Sequence, residues 1–178
     1  QYPAYFREKE NKVEEILNVN KLGKDLDFYQ ISGVSPSPNN NVIAFGEDRN
    51  GRREFTIKFK DLKTDNLLTD ELRNTSGNIS WGSDEYIFYT LKDPNTLISN
   101  KVFRHKLGES QENDFLVYEE LDDQYNLSIS KSRTDRYIYI NSGKTESNEI
   151  WLIDLKNILN EPECVLERSD KHLSLIHI

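Results

Sequence analysis

Apolar and polar residues alternate along much of this chain in short runs, each closed by Asn, Asp, Gly, Pro or Ser. Phe55-Thr56-Ile57-Lys58-Phe59 and Tyr137-Ile138-Tyr139-Ile140 are examples. A period of two over such lengths predicts half-buried β-strands. Three stretches superpose: Val34-Ser35-Pro36-Ser37-Pro38-Asn39 leading to Val42-Ile43-Ala44-Phe45, Ile79-Ser80-Trp81-Gly82 leading to Tyr86-Ile87-Phe88-Tyr89, and Ile129-Ser130-Lys131-Ser132 leading to Tyr137-Ile138-Tyr139-Ile140. Each reads as a strand, a polar turn and a strongly apolar strand. A third strand follows at 55–62, 101–107 and 149–155, and a fourth at 67–72, 115–120 and 163–167. From Leu62 to Leu107 and from Leu107 to Leu155 the spacing is about 45 and 48 positions, the period of propeller blades.

Four-stranded units at that period predict an all-β fold: a β-propeller fragment of about three and a half four-stranded blades. The expected units are blades at 28–72, 79–121 and 125–168, preceded by the outer strands of another blade at 1–20. Residues 21–27 read equally as a short helical turn or a connector. Residues 173–178 break the pattern and form an atypical tail, a candidate for non-native sequence. A WD40 propeller is disfavoured, because Trp81 and Trp151 fall on different strands and no Trp-Asp pair ends a repeat. Propellers need about four to eight blades to close, so the chain is expected to be a piece of a larger protein.

Composition agrees with this and narrows the function. Nine Tyr and eight Phe suit pleated, half-buried surfaces. A formal net charge of −8 argues against nucleic acid as a partner. No apolar run approaches the ~20 residues of a membrane span. The single cysteine, Cys164, excludes an intrachain disulfide framework and is expected to be a small buried hydrophobe.

Little catalytic chemistry is visible. No Gly-x-Ser-x-Gly elbow occurs. His105 lies mid-strand, expected to face solvent or a neighbouring blade, while His172 and His177 fall at the tail. No ligand spacing for a metal and no glycine-rich phosphate cradle appear, so no cofactor is expected. The acidic run Glu119-Glu120-Leu121-Asp122-Asp123 reads as a solvated face, or more sharply as a contact for a cation or basic peptide. Three glycosylation patterns, beginning at Asn74, Asn78 and Asn126, carry little weight in a chain so rich in Ser and Asn.

One connection is different. Between strands 42–45 and 55–59, Asn50-Gly51 supplies a turn, yet Glu47, Asp48, Arg49, Arg52 and Arg53 crowd around it. Hairpin turns have no need of so many charges. Glu47 and Arg53 could form a simple cross-strand salt bridge. Alternatively, these side chains face a partner domain or a substrate, since arginine's planar fork suits carboxylates.

Linked motifs carry a resemblance over nearly the whole chain: Val34-Ser35-Pro36-Ser37-Pro38-Asn39, Gly46-Glu47-Asp48, Arg52-Arg53, Phe59-Lys60-Asp61-Leu62, Lys92-Asp93-Pro94-Asn95-Thr96-Leu97, Val102-Phe103-Arg104-His105-Lys106-Leu107-Gly108 and Val117-Tyr118-Glu119-Glu120-Leu121-Asp122-Asp123. Together they resemble the N-terminal propeller of the prolyl oligopeptidase family, specifically its oligopeptidase B (protease II) branch. The resemblance implies a propeller of about seven blades joined to a C-terminal α/β-hydrolase domain with a Ser-Asp-His triad. It also implies a cytoplasmic or periplasmic serine-type endopeptidase that cuts short peptides after Arg or Lys. The triad would lie outside this chain, so no catalytic residue carries over. Glu47, Arg52 and Arg53 match positions that such enzymes place at the interface with the catalytic domain, associated with closure and substrate gating. The rival expectation is a non-catalytic propeller that binds a peptide or protein on one rim.

Overall fold

A computed structural model describes residues 2–175. The order of elements is β1 (Ala4–Lys9), β2 (Lys12–Asn18), α1 (Val19–Leu22), β3 (Gln30–Pro36), β4 (Val42–Asp48), β5 (Phe55–Asp61), β6 (Leu67–Trp81), β7 (Tyr86–Lys92), β8 (Ser99–Lys106), β9 (Phe115–Glu119), β10 (Asn126–Lys131), β11 (Tyr137–Lys144), β12 (Ser147–Asp154) and β13 (Glu163–Leu166). Every hydrogen-bonded strand pair is antiparallel, and within each sheet the strands pair with their neighbours in sequence. This all-β meander is the β-propeller fold. The segment at 21–27 resolves into the end of a one-turn helix, with the Asn18 side chain accepting from Asn20 N, followed by a connector.

The hydrogen-bonded sheets divide as β1–β2, β3–β9 and β10–β13. The seven-stranded sheet arises because β6 runs unbroken where the sequence suggested two strands. Its first part pairs with β5 and its last with β7, and Thr75 lies opposite both Phe55 and Leu91. Asn74 and Gly77 take positive φ there (59° and 80°), which turns the chain from an outer to an inner position while the ladder continues. Gly77 is required: a side chain would meet the Phe55 ring at 3.0 Å and Ser32 at 3.1 Å.

Alternation buries one apolar stripe per strand, and the stripes meet between units. Ala44, Ile57, Phe59, Leu72, Trp81, Ile87 and Tyr89 form one core. Phe88, Val102, Val117, Leu127, Ile129, Ile138, Ile140 and Ile153 form the other. The β1–β2 hairpin and α1 bury Leu17 and Val19, and the Lys60 ammonium donates to the Ile16 carbonyl at 3.0 Å.

Side-chain amides clip neighbouring segments together. Asn78 on β6 donates to the Ile129 carbonyl (3.1 Å) and accepts from the Ile129 N–H (2.7 Å) on β10. Gln111 closes the same reciprocal pair on Arg73, and Asn148 on Ser174. The described tail residues 173–175 are thus tethered to β12, whereas 176–178, with His177, lie outside the described residues. Asn78, so engaged, is no free glycosylation acceptor, and Asn126 Oδ1 accepts from Ser99 N. Asn78→Asp sets a carboxylate oxygen against the Ile129 carbonyl. It is expected to weaken this joint by about 1–3 kcal/mol, read as faster hydrogen exchange of the Ile129 amide.

Candidate functional site: an arginine loop on one rim

The β4–β5 connection, the bend of β6 and the β7–β8 connection share one end of the strands. The registers Glu47↔Thr56, Phe55↔Thr75 and Thr75↔Leu91 bring them there. A direct bond joins two of them: the Lys92 ammonium donates to the Arg53 carbonyl at 2.7 Å.

Asp48 builds the loop. It is fully buried, its Oδ1 accepts from Asn50 N and Gly51 N at 2.9 Å each, and its Oδ2 accepts from Arg53 N at 2.8 Å. These bonds hold Gly51 at φ +76° and Arg53 at φ +58°, a conformation that L side chains seldom adopt. In the sequence Asp48 stands out only as one charge among several, without this role. An Asp at the start of a turn is the signal that could have found it.

Glu47 points inward. It is 7% exposed and accepts from the Tyr29 hydroxyl at 2.8 Å, with Arg49 at 3.2 Å and Lys58 at 3.8 Å. Burial and the adjoining carboxylate push the Tyr29 phenol well above its ordinary range. The cross-strand salt bridge between Glu47 and Arg53 is not formed: Arg49 and Lys58 take that carboxylate, and Arg53 is exposed at positive φ. Arg52 and Arg53 are exposed, and among the described residues neither guanidinium has a carboxylate or hydrogen-bond partner. The loop therefore holds the backbone from which two adjacent, exposed arginines project without a partner among the described residues.

The histidines fall elsewhere. His105 does not face solvent: it is fully buried, with Nδ1 2.7 Å from Asp114 Oδ1 and Nε2 3.3 Å from Asp70 Oδ1, and it stacks on Phe59. Its ring is locked in the joint between β6 and β8, with no room for a substrate. His172 Nε2 lies 2.8 Å from Ser174 Oγ, but His172 is exposed, both residues lie on irregular chain, and no acid orients the ring among the described residues. The acidic run divides: Glu120 is buried against Arg168 and Ser142, while Leu121 and Asp123 are exposed. Cys164 is half-buried, and desolvation pushes its thiol up. No helix among the described residues is long and apolar enough to cross a membrane.

Four-stranded antiparallel units joined by a bent shared strand define a β-propeller, with no bond-making machinery assembled among the described residues. The family model for the N-terminal β-propeller domain of prolyl oligopeptidase matches residues 1–178, and the chain belongs to that family. It is 42% identical over 136 residues to dipeptidyl aminopeptidase BI of Pseudoxanthomonas mexicana, covering 76% of this chain and 19% of that protein. Protease 2 of Moraxella lacunata is 33% identical over 181 residues, covering 96% and 26%. Among solved structures, oligopeptidase B of Leishmania major superposes with a TM-score of 0.89 at 30% identity, covering 94% of this chain and 25% of that one. The chain thus spans about a fifth to a quarter of the length of these relatives.

Proposed function

We propose that this segment is the substrate-gating part of an oligopeptidase B-like serine endopeptidase that cleaves short peptides after Arg or Lys. Its partner is a C-terminal α/β-hydrolase domain, which supplies the nucleophile, the oxyanion donors and the acyl-enzyme chemistry. The segment itself adds filtering and closure and is inactive alone. The single observation that carries this reading is the pair of exposed, unpartnered arginines, Arg52 and Arg53, on a rim loop whose backbone Asp48 holds. Each fork fits a carboxylate of the catalytic domain in the closed state. Glu47 contributes from behind, fixing Arg49 and Tyr29.

In the full-length protein Arg53→Ala is expected to lower kcat/KM on Arg- and Lys-terminated reporter peptides by about ten- to a hundredfold, in line with 1–3 kcal/mol for a charged bond, with the melting temperature nearly unchanged. Unaltered kinetics would remove the loop from gating. The similarity to dipeptidyl aminopeptidase BI supports a second reading, in which the parent has dipeptidyl aminopeptidase activity instead. Reporters with blocked amino termini separate the two: turnover supports the endopeptidase, and a strict need for a free amino terminus supports the other. A parent with no peptidase activity at all would leave a binding propeller.

A further inference from the structure

The arginine loop also holds the chain's sole Asn-Gly dipeptide, Asn50-Gly51. Deamidation at such a step begins when the following backbone nitrogen attacks the side-chain carbonyl carbon. It needs an unhindered nitrogen, an acceptor for that nitrogen's proton and a donor to the oxygen on which charge develops. All three are assembled here. Gly51 brings no side chain, and Asp48 Oδ1 lies 2.9 Å from its nitrogen. Arg52 N–H donates to Asn50 Oδ1 at 3.0 Å, a small oxyanion-type contact. That bond makes an Asx turn, which folds the Asn50 side chain forward along the chain towards Gly51. Asn50 is exposed, so water reaches it, and Arg49, Arg52 and Arg53 are its near neighbours along the chain. Other asparagines are placed differently: Asn20, Asn78 and Asn148 each give and accept hydrogen bonds with the backbone of another segment, and Lys, Ile and Glu follow them.

We infer that Asn50 is a self-modifying residue: the loop converts its neutral amide into a carboxylate, using Asp48 as proton acceptor and the Arg52 N–H as oxyanion donor. The bond from Gly51 N to Asn50 Cγ forms as the Gly51 proton passes to Asp48. The Cγ–Nδ2 bond then breaks, and the nitrogen takes that proton and leaves as ammonia. Water opens the resulting cyclic imide at either carbonyl, giving aspartate or isoaspartate. One water is consumed and one ammonia released, with no redox change. The consequence rests on the gating role proposed above. A new carboxylate beside Arg52 and Arg53 is an internal partner for two guanidinia that otherwise await an external one. The isoaspartate form also lengthens the backbone by one atom between Asp48 and Arg53.

The test is incubation of the folded chain at mildly alkaline pH, followed by digestion with a glutamyl protease that releases residues 48–54. That peptide is expected to gain the mass of one deamidation, as a separable aspartate/isoaspartate pair, before any other asparagine converts. Its rate in the folded chain should exceed that in urea several-fold, and Asp48→Asn should bring it down towards the urea rate. Conversion elsewhere first, or a folded rate below the urea rate, overturns the proposal. The urea comparison stands even where Asp48→Asn disturbs the loop. In the full-length protein, Asn50→Asp should weaken turnover several-fold relative to Asn50→Gln. Equal turnover of these two, with the mass shift present, would sink the gating consequence while leaving the chemistry intact.

Discussion

His105→Leu is expected to loosen the joint between the β3–β6 and β6–β9 parts of the sheet by about 3–5 kcal/mol, because two buried carboxylates each lose a hydrogen-bond partner at about 1–3 kcal/mol apiece. The two ring nitrogens face carboxylate oxygens on opposite sides, Asp114 at 2.7 Å and Asp70 at 3.3 Å. The Asp70 and Asp114 side chains are 5% and 2% exposed. Leucine fills the space against Phe59 but leaves both carboxylates with only the Gly108 N–H and the Tyr89 hydroxyl. Burial, followed by the Asp114 charge, already pushes that phenol upward, so it cannot relieve the acid by ionising. In hydrogen exchange, amides of β6 to β8 should lose protection by about a hundredfold or more, at 1.4 kcal/mol per factor of ten. Asp70→Asn should cost less, since an amide oxygen still accepts from Gly108. Protection within about tenfold of the wild type in His105→Leu would mean that the cluster is not the joint.

The architecture was legible because blade strands declare themselves locally: alternation, turn residues and a regular period are all properties of neighbouring positions. What escaped was set by contacts between distant positions. The sequence left His105 facing either solvent or a neighbouring blade, and the choice fell to the blade through partners 35 positions before and 9 after it. β6 looked like two strands because Asn74 and Gly77 resemble turn residues, and nothing local tells a turn that ends a ladder from one that carries it onward. In the arginine loop the residue types were visible, and so was the excess of charge. The pairing was not: Glu47 meets Arg49 two positions on and Lys58 from the neighbouring strand rather than Arg53. Asp48, the residue that builds the loop, was one charge among several, and its role shows only in the backbone N–H groups it accepts from.

Arg168→Met should reverse the acid response of the β10–β13 sheet. Arg168 bonds Glu149 through Nε and Nη2 at 2.8 and 2.7 Å and Glu120 through Nη2 at 2.5 Å, while lying 4.1 Å from the Tyr125 ring centre. The guanidinium, helped by Tyr118 and Trp151, holds the Glu149 carboxyl at about 2 against an ordinary value of 4.5. Burial pushes Glu120 upward, but bonds from Arg168 and Ser142 outweigh it and leave that carboxyl lowered too. A carboxylate lowered by folding adds stability that is fully present above its unfolded value and is lost as pH falls through the folded one. The wild-type sheet should therefore hold constant stability above about pH 5 and lose it progressively between there and pH 2. Without the guanidinium, Glu120 and Glu149, 6% and 8% exposed, are buried charges lacking a cation. The variant should lose about 2–4 kcal/mol at neutral pH, somewhat below the fully buried case because Arg168 keeps partial contact with water. As pH falls towards the carboxylate range, protonation removes the uncompensated charges, so the variant should gain stability where the wild type loses it. Exchange of β11 and β12 amides across that pH range reads both limbs. An acid limb with the wild-type slope would show that Tyr118, Trp151 and Ser142 hold the two carboxylates without Arg168.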